Sequence, residues 1–199
     1  MSLRNEFHVA ARLLAAGDAR AAAERLQALL SAGRLAPAAE ADARYLLGRA
    51  LDASGDREGR TQEWGRVARL DAAATRPPSL LSAEEFEAIA AAALDELPRE
   101  LLDELRGVAI IIDDRPSAEM VADGLDPRIL GLYHGVPLSR RSASFGAPYA
   151  DTIHLFSANL ERVCPTRADL ARQIRVTVLH ETAHFFGYSE GQLRSMGLA

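Results

Sequence analysis

His180-Glu181-Thr182-Ala183-His184 sets two imidazoles four residues apart, with a carboxylate directly after the first. On a helix, residues four apart stand one turn above each other, so both rings can face one cation while the residue between is turned about a hundred degrees away. Two histidine nitrogens at about 2.0–2.1 Å make half of a tetrahedral Zn2+ shell. A carboxylate that misses the metal can reach a zinc-activated water, take its proton during attack and pass it to the leaving group while the metal polarises a carbonyl. The motif points to zinc-assisted hydrolysis, with His180 and His184 as ligands and Glu181 as general base.

A third ligand is expected just beyond. Gly187 permits a sharp turn, and Glu190 falls ten positions after His180. The pattern His180-Glu181-x-x-His184-x-x-Gly187-x-x-Glu190 resembles the spacing at which metzincin peptidases place their third ligand, usually His or Asp. Glu190 also suits the first turn of a closing helix over 191–197, where an acid complements the helix dipole. Met196 is similar in place to the metzincin Met-turn but also fits as packing for that closing helix. Tyr149 and Tyr188 are both candidates to hydrogen-bond a developing oxyanion. His134, His154 and the strand-end pair Asp113-Asp114 read as hydrogen-bonded or solvated groups, and His8 lies far from the motif in sequence.

The elements that must carry these residues follow from capping and periodicity. Pro165-Thr166-x-x-Asp169 starts a long helix running to Phe186, with Gly187 past its end. Ser82-x-x-Glu85 is a capping box opening a helix through about Leu97, and Pro98 starts a shorter one through Leu105. The continuous apolar run 108–112 predicts a strand buried on both faces. A second strand is expected over 129–133, and a third over 152–156 as the sheet edge that borders the cleft.

Residues before Arg76-Pro77-Pro78-Ser79 have a different grammar. Gly17-Asp18 and Gly55-Asp56, 38 residues apart, each end one amphipathic stretch and open another. Gly48 and Ala50 allow close helix approach, with Trp64, Val67 and Leu70 on the returning face. This pattern resembles a tetratricopeptide helix hairpin, read as a place for a protein partner, against the simpler reading of an Ala-rich bundle. The consecutive prolines mark the boundary, so the expected organisation is a helical segment over 1–76 and a second domain over 79–199.

Composition narrows the classes. Acidic residues outnumber basic ones 28 to 23, for a net charge of −5 that argues against a nucleic-acid or anionic-membrane partner. Every basic residue is Arg, which removes lysine-dependent chemistries such as Schiff bases and P-loops. The single Cys164 permits no internal disulfide, and the amino terminus shows no apolar leader, so a soluble cytoplasmic protein is expected.

Positions 82–196 together resemble the minimal zincin-like metallopeptidase family of bacteria. The resemblance rests on Phe86 through Leu97-Pro98, the apolar run followed by acids, Leu130-Gly131-Leu132-Tyr133-x-Gly135-Val136-Pro137, Ile153-x-Leu155-Phe156, and the segment from Val176 to Gly187. It implies an α+β fold with a small mixed sheet and a long active-site helix. It also implies zinc held by His180, His184 and the carboxylate at 190, where the family pattern favours Asp. Most members lack the amino-terminal helices. The expected activity is hydrolysis of peptides or unfolded protein segments, with the alternative of a non-catalytic interaction module built on an inactive zincin fold.

Overall fold

In the computed structural model, which describes residues 3–33, 35–141 and 150–195, two aspartates that follow a glycine each begin a helix. Helices α1 (Leu3–Ala15) and α2 (Ala19–Ser31) form one hairpin, and α3 (Pro37–Ala53) and α4 (Arg57–Ala73) another. Gly17 and Gly55 turn the chain at φ 81° and 84°, a left-handed conformation that costs glycine nothing. Asp18 and Asp56 then accept hydrogen bonds from the N–H groups of Ala21 and Gly59, satisfying donors that a helix start leaves over. Ala10, Leu26, Ala43 and Leu47 make the core of this unit. Gly48 lies so close to the Trp64 ring that a Cβ there would overlap it. Arg44 ties the second hairpin together, reaching Glu40 and Glu63 at 2.8 Å each.

The chain forms two compact units, Met1–Arg76 with Pro116–Pro127, and Pro77–Arg115 with Arg128–Ala199. The second unit begins with α5 (Ala83–Asp95), opened by the capping box in which Ser82 and Glu85 bond each other's backbone N–H. Next come α6 (Arg99–Glu104), which starts after Pro98, and strand β1 (Ala109–Asp113). After β1 the chain contributes Pro116–Pro127 to the helical unit, where α7 (Ala118–Ala122) lies and the Tyr45 hydroxyl donates to Asp126 at 2.9 Å. It then forms β2 (Gly131–His134), a 3-10 turn at Leu138–Arg140, β3 (Thr152–Phe156), α8 (Ser157–Val163), α9 (Arg167–Phe186) and α10 (Glu190–Ser195).

The sheet order is β1-β3-β2, with β1 parallel and β2 antiparallel to β3. This is the expected α+β arrangement, a small mixed sheet against a long helix. Successive strand side chains alternate faces, so Ile153 and Leu155 enter the core with Ile174 and Val178 of α9 and Phe86, Ala90 and Ala93 of α5. Two expectations are corrected. β1 is not buried on both faces: Ile110 and Ile112 pack against the core, while Ile111 on the alternate face is 37% exposed. β3 is not the sheet edge, because β1 and β2 flank it; the edge beside the site is β2. Among the described residues no helix is long and apolar enough to cross a membrane.

Candidate metal centre

α9 is the element on which the centre is built. The Thr166 side chain caps its start by accepting from the Asp169 N–H, and Gly187 ends it at φ 95°, twenty residues later. At 1.5 Å per residue the helix is about 30 Å long. Leu170, Ile174, Thr177, Val178, Glu181 and Phe185 form its buried stripe. The adjoining positions Gln173, Val176, His180 and His184 line a cleft of about 600 Å³ whose opposite wall is β2 and the loop that follows it.

His180, His184 and Glu190 each bring one possible ligand atom to a common point, all within 4.8 Å of one another. His184 Nε2 lies 3.1 Å from His180 Nε2 and 3.1 Å from Glu190 Oε1, and His180 Nε2 lies 3.5 Å from the same oxygen. Donor atoms about 2.0–2.1 Å from one tetrahedral centre sit about 3.3–3.4 Å apart, so these separations are those of three corners of a zinc shell. Tautomer chemistry agrees. His184 Nδ1 is 3.0 Å from the Tyr188 carbonyl, which can only accept, so Nδ1 carries the proton and Nε2 offers a lone pair. In the neutral imidazole that lone pair faces a carboxylate oxygen, an acceptor against an acceptor, which a cation between them relieves. A carbonyl behind the ring is also how metal-bound histidines are commonly held in orientation. Glu190 stands beside both imidazoles and is also the first residue of α10.

Glu181 stands apart from the three, at 7% exposure, and its Oε2 accepts the Tyr133 backbone N–H at 2.8 Å. Burial pushes its pKa above the ordinary carboxylate value, while the Tyr133 N–H and then the two imidazoles pull the other way. Gly131 makes the contact possible: a Cβ there would lie 2.6 Å from Thr177 Cγ2 and 3.0 Å from Glu181 Cγ. Tyr133 is fixed at its other end, its hydroxyl donating to the buried Asp151 at 2.7 Å. Desolvation and that carboxylate raise the phenol pKa to about 12. Arg141 completes the bracket by donating to Asp151 and, through Nε, to the Val136 carbonyl at 2.9 Å, with its guanidinium 5.0 Å from the Phe185 ring centroid.

Sequence reasoning missed this bracket. Gly131 and Gly135 were its visible signal, since a side chain at 135 would collide with Asp151 and the Tyr133 hydroxyl. Asp151 gave no local signal at all.

Of the remaining candidates, the other histidines and the strand-end acids lie away from the cleft. His154 sits on the alternate face of β3, with Nδ1 3.0 Å from Asp113 Oδ2, Nε2 3.3 Å from Thr152 Oγ1 and its ring stacked on Phe156. Asp114 accepts from the Ser157 hydroxyl, so the strand-end acids are engaged rather than merely solvated. His134 and His8 are exposed and line no part of the cleft. Tyr188 lines it and is 42% exposed; Tyr149 and Met196 lie outside the described residues.

Residues 105–198 match the family model described as zincin-like metallopeptidase. The match spans the sheet, α9 and its motif, and α10. A search of curated proteins finds no match.

Proposed function

We propose that the protein is a zinc-dependent metallopeptidase in which His180, His184 and Glu190 hold the metal and Glu181 is the general base for peptide-bond hydrolysis. The observation that carries the reading is the meeting of two Nε2 atoms and one carboxylate oxygen at tetrahedral spacing. Zinc bound there would polarise the scissile carbonyl and acidify the attacking water. Glu181 has one oxygen held by the Tyr133 N–H, which leaves Oε1 to receive the proton. Its burial favours the protonated form, so the carboxyl is a better base than an exposed one and can return the proton to the leaving amine.

The substrate is read as a peptide or an unfolded segment. By ladder alternation the backbone groups of Gly131 and Tyr133 point away from β3, because Leu130 and Phe156 form a bonded pair. The Tyr133 N–H is taken by Glu181, so an extended chain laid along that edge would pair with the N–H and C=O of Gly131 and the C=O of Tyr133. The helical unit is read as a tetratricopeptide-like platform for a protein partner, separate from the peptidase domain that follows Pro77-Pro78. The lone buried Cys164 suits a reducing, cytoplasmic setting.

The test is metal content and turnover together. Wild type purified without added zinc should carry about one zinc per chain and cleave unfolded peptides. Glu181→Gln should keep the metal and lose roughly a hundredfold or more in rate. Tight zinc binding with no cleavage across a broad peptide library would overturn the peptidase reading in favour of a non-catalytic module.

A further inference from the structure

The two consecutive arginines after β2 are used differently. Arg141 is consumed by the protein, between Asp151, the Val136 carbonyl and the Phe185 ring. Arg140 ends the 3-10 turn, where its backbone N–H donates to the Pro137 carbonyl; it is exposed and lines the cleft, and its guanidinium makes no hydrogen bond or ion pair among the described residues. It is the one cation among the described residues of the cleft wall. The carboxylates there are already engaged, Glu181 by the Tyr133 N–H and Glu190 beside the two imidazoles.

Position gives this charge a meaning. Ser139, its neighbour, packs against Gly187 so closely that a Cβ on that glycine would strike its side chain. The turn therefore abuts the chain between His184 and Glu190, and Arg140 stands at the metal end of the cleft. The other end is largely apolar, with Ile129, Leu130 and Val176 beside Gln173. From Gln173 to His184 the helix advances about 16 Å, the length of about five extended residues.

We infer that Arg140 binds a carboxylate of the substrate within a residue or two of the bond that is cut, making the protein selective for peptides that carry a negative charge there. A guanidinium presents a planar fork that matches a carboxylate, and such charge-assisted pairs are the stronger hydrogen bonds. The carboxylate is either the chain terminus or an Asp or Glu side chain. The apolar remainder of the cleft receives the residues on the other side of the cut. This selectivity rests on the metallopeptidase reading for where the cut falls, but the pairing itself does not.

The experiment uses the full chain with zinc and two sets of matched peptides. One set compares a free C-terminal carboxylate with its amide, the other an internal Glu with Gln, so that the two sources of the charge are separated. In at least one set, kcat/KM should favour the anionic peptide by about tenfold or more, as expected for a charged hydrogen bond. Arg140→Gln should bring that ratio close to one, and Arg140→Lys should restore part of it.

Fluorescence anisotropy with the same labelled peptides on the Glu181→Gln protein gives a readout independent of turnover. An Arg140-dependent preference in binding, with no cleavage by wild type, would support the inference while sinking the peptidase reading. Cleavage without charge preference, an equal loss on charged and neutral peptides in Arg140→Gln, or no binding preference in either set would overturn the inference.

Discussion

Gly131→Ala tests how the general base is held. The new Cβ would lie 2.6 Å from Thr177 Cγ2 and 3.0 Å from Glu181 Cγ. Carbon atoms prefer about 3.5–4.0 Å, so β2 and α9 must part by about 1 Å. That movement would stretch the 2.8 Å contact between the Tyr133 N–H and Glu181 beyond hydrogen-bond range. Overpacking of this kind costs about 1–3 kcal/mol of stability. Loss of a hydrogen bond to a charged acceptor is worth about 1.5–3 kcal/mol, or roughly ten- to a hundredfold in kcat/KM if it is felt in the transition state. None of the three proposed ligands is touched, so zinc content should not change. Thr177→Ser removes the nearer obstacle, and the double variant should recover part of both losses. The assay is peptide hydrolysis beside thermal unfolding and metal analysis on the same preparations. A folded Gly131→Ala protein with wild-type kcat/KM and an unshifted melting temperature would refute the reasoning.

Two pH dependences follow from the raised and lowered groups. Tyr133 titrates near 12 in the folded chain against about 10 when unfolded. The stability it adds is therefore complete below pH 10 and lost as pH rises through 12; in Tyr133→Phe, denaturant midpoints should fall less steeply across that window. Glu85, paired with Arg167 at 2.6 Å, is held down to about 2. Its contribution is present above the ordinary carboxylate value and disappears as pH falls from about 4.5 through 2, and Arg167→Gln should flatten the acid limb of the unfolding curve. An acid limb identical in the variant would show that the ion pair contributes nothing measurable.

The motif helix was legible because its information is local. Thr166, Asp169 and Gly187 mark its ends within a few residues, and four-residue spacing places the imidazoles together whatever surrounds them. The approach of Glu190 to the imidazoles was legible through the turn that Gly187 allows; the same residue starts a helix and stands beside both rings. The order of the sheet was not legible. An apolar run such as Ala109–Asp113 reads alike in a central or an edge strand, and only long-range pairing decides. The Asp151–Tyr133–Arg141 bracket joins residues up to 18 apart with no repeating pattern, so the requirement for glycine at 131 and 135 appears only once strand and helix are packed.

The most direct test of the account is a crystal structure of the zinc-loaded protein recorded at the zinc absorption edge. A single anomalous peak should lie about 2.0–2.1 Å from His180 Nε2, His184 Nε2 and a Glu190 carboxylate oxygen. A peak elsewhere in the chain, or no peak among these three side chains after soaking in excess zinc, would contradict it.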